Sequence, residues 1–264
     1  AVSNKFDYIA TGHYAEIRSI SGSNYLAKAK DQSKDQTYFL CNINKEVLDK
    51  TIFPLSELTK KEVREIAKSM NLSTFEKKDS TGICFIGERP FPSFLENYIN
   101  DRPGKIVCDK GNEIGSHRGL SFYTLGQRQG LGIGGLKNYD ERPWYVVEKN
   151  LLENVLVVVQ GNDNENLFEK KLFVDSINWI SEPDLSEPME LMAKIRYRQD
   201  DQKCILTKKE GFFSVKFEKP QRAITPGQSI VFYQNDICYI HGSIYDYKAP
   251  KDLRHSKDDH TNVH

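Results

Sequence analysis

One cysteine, bounded by two glycines, is the residue of this chain best suited to covalent chemistry. Cys84 stands in Ser80-Thr81-Gly82-Ile83-Cys84-Phe85-Ile86-Gly87, where flanking glycines let the backbone turn sharply and bring a partner close to the sulfur. Lys77 and Lys78 lie shortly upstream, and a loop that folds back would set their charges beside the sulfur and favour the thiolate, the nucleophilic form. The competing reading is an inert buried thiol, because free cysteine is among the most buried residue types. The other cysteines, Cys41, Cys108, Cys204 and Cys238, are widely spaced, bring the total to an odd 5 and form no C-x-x-C. That excludes a zinc knuckle, disfavours a secreted disulfide scaffold and fits a reducing compartment.

Four polar motifs offer binding chemistry. Thr11-Gly12-His13-Tyr14 follows an apolar run, and open α/β sheets place ligand-contacting residues at the carboxyl ends of their strands; a plain turn is the alternative. Lys34-Asp35-Gln36-Thr37-Tyr38-Phe39-Leu40 reads either as a helix start capped by Asp35 or as a nucleic-acid contact through Lys34 and Gln36. Arg196-Tyr197-Arg198-Gln199 sets two cations around an aromatic, which suits phosphate contact with stacking; strand alternation would put the arginines on one face and Tyr197 on the other. The run from Gly126 to Gly135 is glycine-rich but lacks the Lys-Ser/Thr ending of a phosphate loop and the spacing of a dinucleotide fingerprint. It reads as a tight loop that lets backbone approach a surface such as RNA.

The elements that must hold these motifs change in character along the chain. Up to about residue 100 the pattern is mixed α/β: strands at Phe6–Ala10 and Tyr25–Ala29, a helix from Thr59 to Met70, and a short helix from Pro92 to Ile99. The first helix is argued best, with a Thr59/Glu62 capping box, Val63, Ile66, Ala67 and Met70 on one face, and Asn71 to close it. From Asp101-Arg102-Pro103-Gly104 onward almost everything reads as short strands: Lys105–Cys108, Tyr145–Lys149, Val155–Gln160, Leu191–Arg198, Cys204–Lys208, Phe212–Phe217, Ser229–Tyr233 and Ile237–His241. Their spacing predicts a small β unit followed by a six-stranded antiparallel barrel. The expected domains are 1–100, 101–168 and 169–250, with a disordered polar tail over 251–264.

The 264 residues, 38% hydrophobic and 28% charged, are enough for one large or two to three small domains. No stretch approaches the roughly 18 apolar residues of a membrane span, and the N-terminus lacks the pattern of a signal peptide, so a soluble cytoplasmic protein is expected. The start at Ala1, close to an apolar run, reads as that of a fragment. With 37 basic and 37 acidic residues the net charge is zero, and composition alone points to no polyanion. Local basic clusters remain at Lys28/Lys30/Lys34, Lys77/Lys78, Arg196/Arg198 and Lys216/Lys219/Arg222.

Taken in order, Ala10–Ala15, Lys34–Leu40, Ser80–Gly87, Tyr123–Leu131, Lys194–Gln199 and Thr225-Pro226-Gly227-Gln228 resemble the tRNA-specific 2-thiouridylases, over about residues 6 to 247. The resemblance implies an N-terminal PP-loop ATP-pyrophosphatase domain (adenine nucleotide alpha hydrolase-like), of which this chain would hold the C-terminal part, then a small central β-rich domain and a C-terminal antiparallel β-barrel. It implies ATP-dependent thiolation at C2 of the wobble uridine in tRNAs for Lys, Glu and Gln. ATP, with magnesium, would adenylate the C2 oxygen, and a persulfide on Cys84 would supply the sulfur, with a first family cysteine as its redox partner. By motif, Gly12 matches an ATP contact. His13, Lys34, Asp35, Gln36, Arg196, Tyr197, Arg198 and Gln228 match tRNA contacts, and no residue is assigned to a metal. The family's S-G-G-x-D-S loop and first cysteine would lie upstream of Ala1, so this polypeptide alone is expected to be inactive. A sulfur donor such as a cysteine desulfurase or relay protein, and a monomeric state, complete the expectation. Two other classes stay open: a non-catalytic RNA-binding, translation-factor-like barrel, and a stand-alone thiol enzyme using Cys84 without ATP.

Overall fold

The structure is a computed structural model that describes residues 6–76, 101–179 and 186–246. They fall into two compact units, one built from 6–76, 170–179, 186–219 and 226–246 and the other from 101–169 and 220–225.

In the first unit, the N-terminal segment carries β1 (Ile9–Ala10), β2 (Glu16–Ile20), β3 (Ser23–Ala27), α1 (Thr37–Leu40), α2 (Lys45–Leu48), β4 (Thr51–Ile52) and α3 (Lys60–Ser69). β1 pairs in parallel with β4 over two residues, and Phe6, Tyr8 and Ile9 are exposed, so the expected buried strand at 6–10 is shorter and barer than its apolar sequence suggests. β2 and β3 form a hairpin whose turn, Ser21-Gly22, has positive φ at both residues, matching the right-handed twist of the paired strands. α3 follows its local signals. Thr59 Oγ1 accepts from the Glu62 amide at 3.2 Å, the Glu62 carboxylate accepts from the Thr59 amide at 2.6 Å, and Asn71 adopts φ 53° just past the end. Its apolar face is only partly covered: Val63 and Ala67 are half-buried, whereas Ile66 and Met70 are exposed.

The second unit is built on β5 (Gly104–Cys108), β6 (Glu113–His117), β7 (Trp144–Asn150) and β8 (Val155–Gln160), in spatial order β6-β5-β8-β7 with only β5 and β8 parallel. Ile106, Val146, Leu156 and Val158 are fully buried in it. His117, also buried, accepts the Gly119 amide on Nδ1 and donates from Nε2 to the Asn154 carbonyl, which fixes the orientation of the ring. Gly104 is obligatory beside it, since a Cβ there would lie 2.2 Å from the Asn154 carbonyl oxygen and 2.6 Å from His117 Nε2. The strand β6 is an addition to the strands expected from the sequence.

The barrel strands are β9 (Phe168–Trp179), β10 (Met189–Lys194), β11 (Gln202–Lys209), β12 (Phe212–Arg222), β13 (Ser229–Gln234) and β14 (Ile237–Asp246). They run β13-β10-β11-β12-β9-β14 and close through β13 on β14, giving the expected six-stranded antiparallel barrel. β3 pairs with β14 and carries the N-terminal hairpin onto the same sheet. β13 is buried on both faces. Val231 and Tyr233 pack with Ala15, Leu26, Cys41, Leu48, Phe53 and Cys238 in one core, while Ile230 and Phe232 point the other way and are equally buried. One expected strand is corrected: β10 stops at Lys194, and 195–198 form a turn with the Gln199 amide on the Arg196 carbonyl at 3.2 Å. Alternation of Arg196 and Arg198 against Tyr197 therefore does not apply. The expected helix at 92–99 and the tail at 251–264 lie outside the described residues.

Candidate nucleic-acid interface

The segment after β3 is anchored at both ends. The Lys28 amide bonds to the Asp236 carbonyl at 2.8 Å, and Asp31 accepts the Lys60 amide at 2.9 Å, tying the segment to the start of α3. A single 3-10 turn over Gln32–Lys34 follows, and then α1. Gln36, not Asp35, occupies the N-cap position and makes no side-chain cap bond; Asp35 accepts the Thr37 hydroxyl at 2.7 Å. Tyr233 Oη lies 3.1 Å from that hydroxyl, so a buried chain runs from Tyr233 through Thr37 to Asp35. Burial pushes the Asp35 carboxyl up, against the opposing pull of Thr37, Lys194 and Lys28.

Three of the expected contact segments meet around Tyr38. Its hydroxyl lies 2.8 Å from the Ser229 carbonyl, next to Gln228, and 3.1 Å from the Ile195 carbonyl, next to Arg196. Burial pushes its phenol up to about 12, so it stays protonated and donates. Phe39 turns outward and stacks on Tyr197 with ring centroids 4.3 Å apart while remaining 60% exposed. Gln36 joins this junction to the N-terminal loop: its amide bonds to the Tyr14 carbonyl and its side-chain oxygen accepts the Tyr14 amide, both at 2.9 Å. His13 precedes Tyr14, with Nδ1 2.7 Å from the Thr11 hydroxyl. Gly12 lies open, with nothing within 4 Å of a Cβ placed on it, so a ligand can approach its backbone.

The structure thus gathers Lys34, Gln36, Arg196, Tyr197, Arg198 and Gln228 on adjoining turns of one unit, with Arg198 exposed and Lys34, Gln36, Arg196, Tyr197 and Gln228 half-buried. Asp35 is inside this junction. Phe39 is the surface residue that the sequence reading missed; an aromatic directly after the inward-facing Tyr38 was its available signal. The basic cluster Lys28/Lys30/Lys34 divides: Lys28 is buried against Asp201, and Lys30 pairs with Glu62 at 3.1 Å.

Cys84 and its neighbours, including Lys77 and Lys78, lie outside the described residues. Cys41, Cys108, Cys204 and Cys238 are buried and form no disulfide. Burial pushes Cys41 up to about 11 and Cys204 up to about 12, which leaves both protonated and unreactive at neutral pH. In the second unit the glycine-rich loop lines an open cleft of about 380 Å³ with Arg128, Tyr139, Arg142 and Trp144. Arg142 is held there by Asp140 at 2.7 Å. Among the described residues no group of three or more His, Cys, Asp or Glu could hold a metal ion, and no helix is long and apolar enough to cross a membrane.

Three family models match the chain consecutively: a tRNA methyl transferase HUP domain over residues 1–88, a tRNA methyl transferase PRC-barrel domain over 92–160 and an aminomethyltransferase beta-barrel domain over 169–243. Among curated relatives, the tRNA-specific 2-thiouridylase MnmA of Stutzerimonas stutzeri is 51% identical over 92% of this chain and 65% of its own length. That of Hahella chejuensis is 52% identical over 90% and 65%, and that of Pseudomonas fluorescens strain Pf-5 is 51% identical over 94% and 66%. The chain therefore spans about two-thirds of the length of the relatives it matches.

Proposed function

The chain belongs to the tRNA-specific 2-thiouridylase family, and we propose that it is part of an enzyme that thiolates C2 of the wobble uridine of tRNA. The observation that supports the RNA half of this reading is the junction at Tyr38, which ties α1 to the turns that carry Arg196 and Gln228 and sets the exposed Phe39 against Tyr197. Phosphates are met by Lys34, Arg196 and Arg198, and Phe39 and Tyr197 offer a stacking face. Gln36, Gln228 and His13 add neutral hydrogen-bonding groups. Asp35, being buried, serves by holding Thr37 instead of touching RNA.

The chemical half rests on Cys84. The matching models are described as methyl transferase and aminomethyltransferase domains and the relatives as 2-thiouridylases; what favours sulfur transfer is the name of the relatives together with a glycine-flanked thiol able to carry a persulfide. Cys84 carries the sulfur as a persulfide; its outer sulfur attacks C2 and displaces the activated oxygen, and a second thiol, the first cysteine that the family resemblance implies, breaks the S–S bond by forming a disulfide with Cys84, which a thiol reductant then reopens. Gly12 fits a nucleotide contact, because its backbone is open beyond the end of a β1 that lies in a parallel pair. When bound, ATP supplies adenylyl transfer to the C2 oxygen, converting a poor leaving group into AMP; magnesium accompanies its phosphates. A PP-loop architecture for the first domain, boundaries near residues 100 and 168, tRNAs for Lys, Glu and Gln, a separate sulfur donor protein, a cytoplasmic location and a monomeric state belong to the same proposal.

The test is ATP-dependent transfer of labelled sulfur to tRNA by the full-length polypeptide. Cys84→Ser is expected to abolish transfer and keep tRNA binding. Retained transfer sinks the sulfur-carrier role; binding without transfer in the unaltered protein leaves a non-catalytic RNA-binding relative.

A further inference from the structure

We propose that Tyr38, together with the partly buried ion cluster Lys28–Asp201–Lys194, positions the RNA-contacting turns without touching RNA itself. The inference rests on the RNA-binding reading above and concerns the same surface. The turn 195–199 and the turn before β13 are separate connections of the barrel, and the segment 31–36 belongs to neither. What sets their spacing is a small number of wholly or partly buried groups. The Tyr38 hydroxyl has one proton and faces two carbonyls, that of Ser229 at 2.8 Å and that of Ile195 at 3.1 Å, so one shared bond spans both barrel turns. Gln199 closes the first turn on itself by accepting the Ile195 amide at 2.9 Å.

The ion cluster fixes the same junction from its other side. Lys28, only 6% exposed, bonds to Asp201 Oδ2, and Lys194 lies 3.5 Å from Asp201 Oδ1. Both ammonium groups also sit over the Tyr233 ring, at 4.4 and 5.8 Å. Lys28 begins the segment that leads to Lys34, whereas Lys194 and Asp201 bracket the turn with Arg196 and Arg198. A single carboxylate therefore ties the start of one contact segment to both ends of the other. Such an arrangement is costly to desolvate and loses its balance when one member is removed, which suits a register device better than a source of stability.

The experiment compares tRNA binding by the full-length polypeptide and its variants across a salt series, well below their unfolding temperatures. Tyr38→Phe keeps the ring and removes only the hydroxyl. It is expected to weaken binding about tenfold and to flatten the salt dependence by about one unit of slope for each phosphate that the displaced turns no longer reach. Asp201→Asn is expected to do the same by a different route. In an Arg196→Ala/Gln228→Ala background, Tyr38→Phe should have no further effect, because it acts through those residues. Unchanged affinity and slope in folded Tyr38→Phe and Asp201→Asn overturn the inference, as does a full additive loss in the double background. If the unaltered protein fails to bind tRNA, the RNA-binding reading fails first and takes this inference with it.

Discussion

Thr37 carries more of the junction than its size suggests. Its hydroxyl gives a proton to Asp35 and receives one from Tyr233, and all three residues are buried. Thr37→Val keeps the shape and strands both partners. It is expected to cost about 1–3 kcal/mol, the penalty for leaving buried polar groups unpaired, read as a lower urea midpoint at unchanged slope; a loss under about 0.5 kcal/mol would show that neither partner depends on it. At the surface, Phe39→Ala, Arg196→Ala and Gln228→Ala are each expected to weaken tRNA binding by ~1 kcal/mol or more, through lost stacking and lost hydrogen bonds. Titration of tRNA into each variant checks this, and three unchanged affinities would remove the barrel turns from the RNA site.

At the scale of the element, α3 shows what local sequence can and cannot reveal. Its capping box and closing Asn71 were legible because both signals act within a few residues. The covering of its apolar face was not, since that depends on what the rest of the chain brings there. The Glu62 carboxyl is held down at about 2 by the Thr59 amide, the Thr59 hydroxyl and Lys30. A carboxyl lowered in the folded state adds stability above its ordinary value of 4.5, and that contribution is lost as pH falls from there to about 2. The protection of α3 amides, taken relative to their intrinsic exchange rate at each pH, should fall over this window, and Glu62→Gln should remove the acid dependence specific to the helix. A helix equally sensitive to acid in both proteins would contradict the capping argument. The turn at 195–198 escapes the sequence for the opposite reason: Arg196-Tyr197-Arg198 continues a strand-like pattern, but β10 ends where Lys194 meets Asp201, a partner seven positions on that no alternation rule anticipates.

For the whole molecule, the β-rich character beyond residue 101 and the six-stranded barrel could be read from strand spacing, whereas the pairings that build the candidate site could not. Lys28 and Asp201 are separated by 173 positions, and Tyr38 and Ser229 by 191, so neither partner leaves a trace near the other in sequence. Two compact units also make a perturbation local. Gly104→Ala drives a methyl group into the Asn154 carbonyl and His117, and it is expected to destabilise the second unit by about 1–3 kcal/mol, as overpacking does. Hydrogen exchange should quicken in β5 to β8 and stay unchanged in the barrel; equal loosening of both would mean that the two unfold as one.

The double-sided burial of β13 decides where this protein can be cut. Its odd-numbered side chains, Val231 and Tyr233, serve the core that includes the N-terminal segment, and its even-numbered ones, Ile230 and Phe232, serve the other. A barrel excised at residue 169 keeps every one of its strands yet turns Val231, Tyr233 and Cys238 into a wet, sticky wall, a surface of the kind that seeds aggregation. The N-terminal segment is thus as much the barrel's outer lining as it is part of a domain of its own.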